Sequence, residues 1–320
     1  MKNPQKMKAL PIHHLATVCA LSLPMLAQAV EGQVPIAQGL ILPTLHTSSD
    51  SDDMHITKVG GGLLYHYTHP QQYTGLVWEH QRFKQSGQAA LNGKSLSWVT
   101  QHIDPATALG YQIKAGYSTQ PTRDLLTFDG ALTHALSPHT RLEWFASRDW
   151  VDSIVALQQG TYYTLAGGTL DYTLHPRLTA VASLAYTQFS DRTDRQQLRL
   201  RLIWDAIPEQ GITFQLMHKN QRGDAASQGY FNPDRLQEYM AGVGWRNRIH
   251  GWLVTARITT GQQQVNQGRW APARLSELQL TSPTSPNGQF KLRLGEQSNW
   301  GLSGPSYRYR SLDLQWVIPL

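Results

Sequence analysis

The sequence predicts an all-β protein, a transmembrane antiparallel β-barrel of sixteen strands, with fourteen strands as the alternative. Three observations predict it. Segments of about ten residues alternate between apolar and polar side chains, the periodicity of strands with one apolar face. The chain is polar on average, with a mean hydropathy of −0.39, and beyond its N-terminal leader it lacks an apolar run of the roughly 20 residues that a membrane helix needs. It nevertheless contains 10 Trp and 13 Tyr, the residues that form interfacial girdles around such barrels.

The first 29 residues have the pattern of a cleavable signal peptide. Three lysines and no acidic residue precede an apolar run from Leu15 to Leu26, and Ala27-Gln28-Ala29 is a small-residue cleavage motif. The apolar run is too short for a membrane-spanning helix of about 20 residues. We therefore predict residues 1–29 as a signal peptide, with cleavage after Ala29, and residues 30–320 as one barrel domain in the outer membrane of a Gram-negative cell.

Composition excludes several classes of site and partner. Cys19 is the only cysteine, and it lies in the predicted leader, so the barrel has no disulfide framework and no thiolate metal site. The net charge of +6 falls to about +3 when the three leader lysines are removed, which gives no indication of a nucleic-acid partner. Metal-ligand spacing is absent, and Gly60-Gly61-Gly62 lies within a predicted strand rather than in a phosphate-binding loop. We predict no cofactor and no metal.

The alternating segments define the strands. In the clearest one, from Gln197 to Trp204, leucine and tryptophan occupy one face while glutamine and arginine occupy the other. The first predicted strand contains Pro35 and Pro43, which cannot donate ladder hydrogen bonds, and the last ends at Leu320, where most such barrels end in an aromatic residue. The predicted strands are 34–44, 54–67, 72–84, 94–103, 108–118, 124–135, 140–150, 161–174, 178–189, 195–205, 211–220, 236–247, 250–261, 272–281, 288–298 and 307–319.

The connections alternate between short and longer segments. The short ones are His69–Gln71, Asp104-Pro105, Ser137–His139, His175–Arg177, Pro208–Gln210, Asn247–Ile249 and Ser282-Pro283, and most contain a proline that ends a strand. The longer ones are near 85–93, 151–160, 221–235 and 262–271. In outer-membrane barrels the short turns are periplasmic, so both termini are predicted on the periplasmic side.

The phase of the charged residues predicts the lining of the barrel. A Lys or Arg on the lipid face near the midplane would cost about 2–4 kcal/mol, so charged residues out of phase with the apolar ones are expected to point inward. Sixteen strands enclose space for an aqueous channel. The nearly balanced signs favour a hydrated, largely neutral solute such as a sugar, although the same residues could simply brace the wall as ion pairs. The predicted lining residues are Lys114, Asp129, Glu143, Asp171, Arg199, Arg201, Arg257, Glu277, Lys291, Arg293 and Asp313.

A loop motif supplies a second candidate site. Tyr230-Phe231-Asn232-Pro233 stands about two-thirds of the way along the chain, before an aromatic-containing strand and the segments Gly251-Trp252 and Thr260–Gln263. This arrangement resembles the terminal barrel of exopolysaccharide exporters, the family of the poly-N-acetylglucosamine export porin and the cellulose synthase operon protein C. Asn-Pro is also a common turn, and the two aromatic side chains could pack the loop against the wall.

The resemblance implies that Tyr230, Phe231, Asn232 and Pro233 belong to a loop that shapes the pore. It also implies a polymer path along Arg199, Arg201, Arg257, Glu143, Asp171 and Glu277. Those exporters place helical repeats ahead of the barrel, whereas this chain has no 34-residue repeat. The resemblance therefore implies a separate periplasmic scaffold protein as a partner, besides polysaccharide, outer-membrane lipid and the barrel-assembly machinery.

The expected role is exopolysaccharide export or secretion of a biofilm matrix, with a general diffusion porin for small hydrated solutes as the alternative. A lipid-modifying enzyme of the outer membrane would need a Ser/His/Asp or Asp/His set at one rim. Asp52, Asp53 and His55 lie close together, but His134, His139, His175 and His218 are scattered and no nucleophile elbow is present. We therefore predict no enzyme. A surface adhesion factor is a further alternative, against which the modest loop lengths argue.

Overall fold

The computed structural model describes residues 38–224, 229–300 and 306–320. The predicted leader and residues 30–37 lie outside this part of the chain. Within the described residues the structure has sixteen strands and one short helix. These elements are β1 Gly39–Asp50, β2 His55–His69, β3 Gln72–Lys84, β4 Leu91–Ile103, β5 Gly110–Gln120, β6 Arg123–Ser137, β7 Thr140–Trp150, α1 Ile154–Gln158, β8 Tyr162–His175, β9 Leu178–Phe189, β10 Asp194–Ile207, β11 Ile212–Gly223, β12 Arg235–Ile249, β13 Trp252–Val265, β14 Ala271–Thr281, β15 Gln289–Trp300 and β16 Ser306–Pro319.

The sheet closes on itself. Each strand pairs antiparallel with the next one in the chain, and β1 pairs with β16 from Gly39 opposite Pro319 to Asp50 opposite Tyr309. Closure supplies a partner for both edges of the sheet, which is the requirement for a strand structure in lipid. The prediction of a closed sixteen-strand barrel is confirmed, and the alternative of fourteen strands is wrong.

Most strand bounds agree with the sequence prediction to within three residues, and β1 is the main exception. It was predicted to end at residue 44, but it continues to Asp50. The register with both neighbours shifts between Ile41 and Thr44. This irregularity accommodates Pro43, which has no N–H to donate, so the proline interrupts the strand without ending it.

Two turns also differ from the prediction. The turn after β12 was predicted at 247–249, but the strand continues to Ile249 and the turn consists of His250 and Gly251. Both residues have positive φ, 49° and 83°, as a two-residue hairpin turn of the primed type requires. The connection after β14 is longer than the predicted Ser282-Pro283 and extends over residues 282–288.

The two ends of the barrel differ in their connections. At one end, here called the turn end, lie Gly39, Pro319 and the connections after the even-numbered strands. At the other, the loop end, are the connections after the odd-numbered strands, including 151–161 and 224–234. These two long segments, rather than a general difference in length, distinguish the loop end from the turn end.

The outer surface of the barrel is apolar. Outward positions on neighbouring strands carry large exposed hydrophobic side chains, among them Leu126 at 72%, Ile258 at 66% and Leu184 at 63% exposure. Such a surface is stable only in contact with lipid. Within the described residues, no helix is long and apolar enough to cross a bilayer. Outward aromatic side chains recur over this surface. Some lie near strand ends, such as Tyr111, Trp204, Trp252 and Trp316, whereas Trp78 and Trp144 lie near the middles of β3 and β7.

The alternation makes a prediction about stability. Leu200 is an outward residue of β10 with 43% exposure, and a lysine in its place would be exposed to hydrocarbon. We expect Leu200→Lys to reduce the free energy of unfolding in lipid vesicles by about 2–4 kcal/mol. Thr127→Lys is the control, because Thr127 pairs with Gly116 on the inward face of β6. Equal losses from the two variants in urea titrations would contradict the assignment of the faces.

Candidate functional site: the lumen and its inward loop

The ladder register defines which side chains point into the barrel. Val99 belongs to a buried interior cluster, and it pairs with Lys114, which in turn pairs with Asp129. Arg257 is opposite Glu277, and both share this inward phase. Following the pairs around the barrel places all eleven residues of the predicted lining on the inward face. These residues are Lys114, Asp129, Glu143, Asp171, Arg199, Arg201, Arg257, Glu277, Lys291, Arg293 and Asp313.

Several of these residues form ion pairs along the wall. Arg257 and Glu277 form a close, largely buried pair, and Arg293 lies 3.6 Å from the other carboxylate oxygen of Glu277. Asp313 accepts a 2.6 Å contact from Nδ1 of His46 on the neighbouring strand. The carboxylate of Glu277 on β14 thus binds two guanidinium groups, one from β13 and one from β15. It joins three strands, and this geometry fixes the side chains in place.

Lys114 is paired with a residue that sequence analysis did not select. Its Nζ atom is 2.5 Å from Oε2 of Glu79, two strands away, whereas Asp129 stands opposite it on the adjacent strand. Glu143 accepts a 3.3 Å hydrogen bond from the hydroxyl of Thr133. The wall therefore combines ion pairs that bridge strands with carboxylates held by neutral donors.

Charge is distributed unequally around the lumen. We use the name acidic wall for the inward face of β3–β8, and the name basic wall for the inward face of β10–β15. Among described residues, the acidic wall carries the acids Glu79, Asp129, Glu143, Asp149 and Asp171 and the cations Lys114, Arg123 and Arg141. The basic wall carries the cations Arg195, Arg199, Arg201, Lys219, Arg246, Arg248, Arg257, Lys291 and Arg293 and the acids Asp205, Glu238 and Glu277.

The nearly balanced charges expected from sequence are therefore divided unequally between the two walls. The positive residues exceed the negative ones on the basic wall, and the negative ones exceed the positive ones on the acidic wall. Sixteen strands about 4.8 Å apart, tilted by about 40°, enclose a barrel roughly 30 Å across between backbones. The two walls face each other over this space, so a solute between them experiences a field across the barrel.

The loop 151–161 folds into the lumen at the loop end, and we call it the plug. Its helix α1 places Ile154 and Leu157 at 0% exposure in one cluster with Ile56 of β2, Phe83 of β3 and Leu125 of β6. Burial of one such aliphatic side chain stabilises a structure by about 1.5–3 kcal/mol. The plug is therefore a packed part of the barrel interior, and it narrows the mouth.

Polar contacts hold the plug at its edges. Nζ of Lys58 on β2 lies 3.4 Å from the carboxylate of Asp152, and Asp149 and Glu79 also attract this ammonium group. The hydroxyl of Thr122 donates to the carbonyl of Leu157 at 2.8 Å. These contacts come from β2 and from the β5–β6 turn, so the plug is attached on more than one side.

The motif Tyr230–Pro233 attaches its loop to the barrel and does not simply line the pore. Tyr230 is 4% exposed and packs on Phe189 with ring centroids 4.5 Å apart. Its hydroxyl donates to the carboxylate of Asp191 at 2.9 Å and forms a 2.5 Å hydrogen bond with the hydroxyl of Thr193. Tyr230 also shares a buried cluster with Val151 of the plug. The aromatic residue thus fastens its own loop to the β9–β10 connection.

Asn232 and Arg195 complete this attachment. Oδ1 of Asn232 accepts a hydrogen bond from Nε of Arg195 at 3.0 Å, and Nη2 of Arg195 donates to the carbonyl of Phe231 at 2.6 Å. Nδ2 of Asn232 donates to the carbonyls of Asp194 and Asp224. Pro233, next in the chain, is also buried. The motif is therefore a hydrogen-bonded anchor for the loop 224–234.

The two inward loops are joined to each other. The hydroxyl of Ser153 in the plug donates to the carbonyl of Gly229 at 2.6 Å, and Val151 and Ala156 pack in the cluster that contains Tyr230. At the loop end the plug and residues 229–230 therefore pack on each other, and the motif lies where they meet.

Sequence analysis missed several residues of the site. Glu79 follows Val77-Trp78, so its alternation with outward Trp78 was visible, and Lys58 alternates with outward Val59. Arg195 and Lys219 are likewise in phase with the predicted lining. The inward course of the plug had no comparable signal, since Val151–Leu157 is only a short apolar stretch between strands.

Asp52, which is beside Asp53 in sequence, lies in a turn held by hydrogen bonds to Asp50. Oδ1 of Asp50 accepts hydrogen bonds from the backbone N–H groups of Asp52 and Met54 at 2.8 and 3.0 Å, which shapes the β1–β2 connection. Among the described residues, no group of three His, Cys, Asp or Glu side chains could hold a metal ion.

Together, the closed sheet, the lipid-facing exterior and the charged lumen define a transmembrane barrel with an inward-folded loop at one mouth. One solved structure shares this fold, and others give weaker matches. A bacterial polysaccharide outer membrane secretin matches with a TM-score of 0.66 and 9% identity, over 90% of this chain and 100% of that one. OccK5 (OpdH) of Pseudomonas aeruginosa matches with a TM-score of 0.47 and 12% identity, over 88% and 98% of the two chains.

OprD of Pseudomonas aeruginosa gives similar values, a TM-score of 0.46 and 9% identity over 91% of this chain and 96% of that one. No protein-family profile matches the sequence, and no curated protein matches it significantly. At these identities the likeness concerns the fold, and the function has to be argued from the site.

Removing the Asn232 side chain should loosen the loop 224–234. Asn232→Ala removes the amide that binds Nε of Arg195 and two backbone carbonyls. Each buried polar group that loses its hydrogen-bond partner destabilises the fold by about 1–3 kcal/mol. We expect faster limited proteolysis within this loop while the barrel stays folded. Asn92→Ala is the control, because Asn92 is exposed on β4. Cleavage rates equal to those of the control would contradict the anchoring role.

The β1–β2 connection should respond to pH near 6. Burial, followed by the neighbouring carboxylates of Asp50 and Asp53, raises the pKa of Asp52 to about 6. Because this pKa is above the unfolded value near 4, the protonated form stabilises the folded connection below pH 4, and this contribution is lost as pH rises through 6.

We therefore expect hydrogen exchange at residues 51–54 to accelerate between pH 4 and 6, after correction for the intrinsic exchange rate. In Asp52→Asn this acceleration should disappear. Asp53→Asn is the comparison variant. Because the carboxylate of Asp53 helps to raise the pKa of Asp52, the acceleration should persist there with its midpoint at a lower pH. An unchanged pH profile in Asp52→Asn would show that another group is responsible.

Proposed function

We propose that the protein is an outer-membrane channel that conducts hydrated saccharides, and that its role is the export of exopolysaccharide. The observation that carries the proposal is the charged and amide-rich inward wall of a barrel roughly 30 Å across. A wall of this kind exchanges hydrogen bonds with a hydrated solute along its length, whereas a barrel with only a structural role needs no such lining.

Amide side chains support a saccharide as the solute. Inward glutamines recur on several strands, including Gln197, Gln215, Gln221, Gln263 and Gln279. An amide both donates and accepts hydrogen bonds, as a sugar hydroxyl does, so these side chains can replace water around a saccharide. The polysaccharide secretin with the same fold is consistent with this proposal, although at 9% identity the likeness speaks for shape alone.

The cellular setting belongs to the same proposal. A signal peptide at residues 1–29 would direct the chain to the periplasm, where the barrel-assembly machinery would insert it among outer-membrane lipids. The turn end would then face the periplasm. An exporter of this type would receive its polymer from a separate periplasmic scaffold protein.

A diffusion porin for small solutes is the second candidate, and the plug favours it. The side chains of Ile154 and Leu157 are fully buried at the loop end, a packing that suits a permanent constriction. Polymer export requires this segment to move aside. The two candidates therefore differ in whether the plug opens during transport.

Conductance measurements test the channel directly. The double variant Ile154→Ser, Leu157→Ser removes the apolar contacts of the plug, and we expect its single-channel conductance in planar bilayers to be several-fold above that of the wild type. Gln158→Ser is the control, because Gln158 is exposed on the same helix. If neither the wild type nor the double variant conducts ions, the barrel is not a channel.

Deletion of the gene separates the two candidates. An exporter of exopolysaccharide predicts loss of cell-surface polysaccharide in the deletion strain and its recovery with the wild-type chain. Normal polysaccharide together with measurable conductance would favour the diffusion porin.

A further inference from the structure

We infer that the saccharide conducted by this barrel carries negative charge, for example as carboxylate groups, and that it passes along the basic wall. The inference rests on the proposed channel function and names its substrate class. It departs from the neutral solute expected from sequence, because the added inward residues change the distribution of charge.

Cations exceed acids on one side of the lumen. Nine Lys or Arg side chains and three acids occupy the described inward positions of β10–β15. Ion pairs such as Arg257 with Glu277 neutralise only part of this charge. Two acids flank the wall, Asp171 on β8 in register with Arg201 and Asp313 on β16 opposite Arg293, and even with them five acids cannot match nine cations. The surplus remains whichever individual side chains are paired. A wall with this surplus attracts anions and raises their local concentration.

Cations occur along the basic wall from the turn end to the loop end. Arg248 is the next to last residue of β12 at the turn end, and Lys291 is the third residue of β15 from the same end. Arg257 and Arg201 lie near the middles of their strands, and Arg195 is the second residue of β10 at the loop end. The cations thus form a track through the whole barrel instead of a single binding site. A chain with repeated charges can move along such a track by exchanging one contact for the next, because weak, multiple sites allow passage.

Like charges lie close together on the basic wall. Arg199 and Lys219 stand directly opposite each other on β10 and β11, and Lys219 is repelled by Arg195 as well as by Arg199, with attraction from Glu238. Like charges directly opposite on neighbouring strands destabilise a sheet. An anionic chain that passes this point offsets that repulsion, so the arrangement favours a polyanion over a neutral or cationic chain.

The acidic wall has a complementary effect. Asp129 and Glu143, the latter held by the neutral hydroxyl of Thr133, face the basic wall from strands several positions away, and they repel an anionic chain from that side. The chain is thereby confined to the track on β10–β15. At the loop end the track meets Arg195, which is held by Asn232 and Phe231, so the last cation of the track contacts the motif.

The test uses the full-length chain with the plug substitutions Ile154→Ser and Leu157→Ser, reconstituted in planar bilayers. The reversal potential in a potassium chloride gradient gives the ratio of chloride to potassium permeability. Hexagalacturonate and maltohexaose, two hexasaccharides with and without carboxylates, are then compared as blockers of the current.

We expect chloride to be favoured and hexagalacturonate to block at a concentration at least about tenfold below that of maltohexaose, because electrostatic attraction raises association rates by about 10- to 1000-fold. The difference should shrink at 1 M salt, where the screening length is only about 3 Å. Substituting Arg201→Gln and Lys219→Gln should lower both the chloride preference and the difference between the two sugars.

Arg274→Gln is the matched control, since it removes the same charge from the outward face of β14 and should change neither value. Equal block by the two hexasaccharides, or a preference for potassium, would overturn the inference while the channel function stands. If the plug variant conducts no ions at all, the channel function itself fails.

Discussion

Backbone hydrogen bonding in lipid is the constraint on which the rest of this structure depends. Every N–H and C=O group that faces hydrocarbon needs a partner within the chain, and a sheet meets this condition only by closing. Closure of β1 on β16 fixes the alternation of side chains on all sixteen strands, because a shift of one residue would exchange the two faces. The lipid-facing leucines and the lumen charges are therefore two consequences of one register.

This constraint explains which features could be predicted from sequence. The inward phase of Arg199, Arg201 and Arg257 follows from their outward leucine and isoleucine neighbours, since a misplaced charge is costly in lipid. The bounds of β3, β7 and β9 could be predicted because turn residues flank clear alternation. At β1 the same reasoning failed, since Pro43 has the properties of a strand end and a local irregularity in pairing leaves no trace in composition.

The features that could not be predicted are those between residues distant in the chain. The salt bridge of Lys58 with Asp152 joins positions 94 residues apart, and neither residue type specifies the other. The plug depends on a surface that only the closed barrel provides, formed by side chains of β2, β3 and β6. The motif Tyr230–Pro233 was visible in sequence, but its hydrogen bonds to Arg195, Asp191 and Thr193 require the folded positions of three connections.

The hydrogen bond between Ser153 and Gly229 couples the two segments at the loop end. The plug begins and ends on β7 and β8, whereas the loop 224–234 belongs to β11 and β12, so the two segments have separate attachments to the barrel but a common cluster between them. Displacing one exposes the apolar side chains of the other to water, which makes partial displacement unfavourable. The plug and residues 229–234 are therefore expected to leave this packing together and not one at a time.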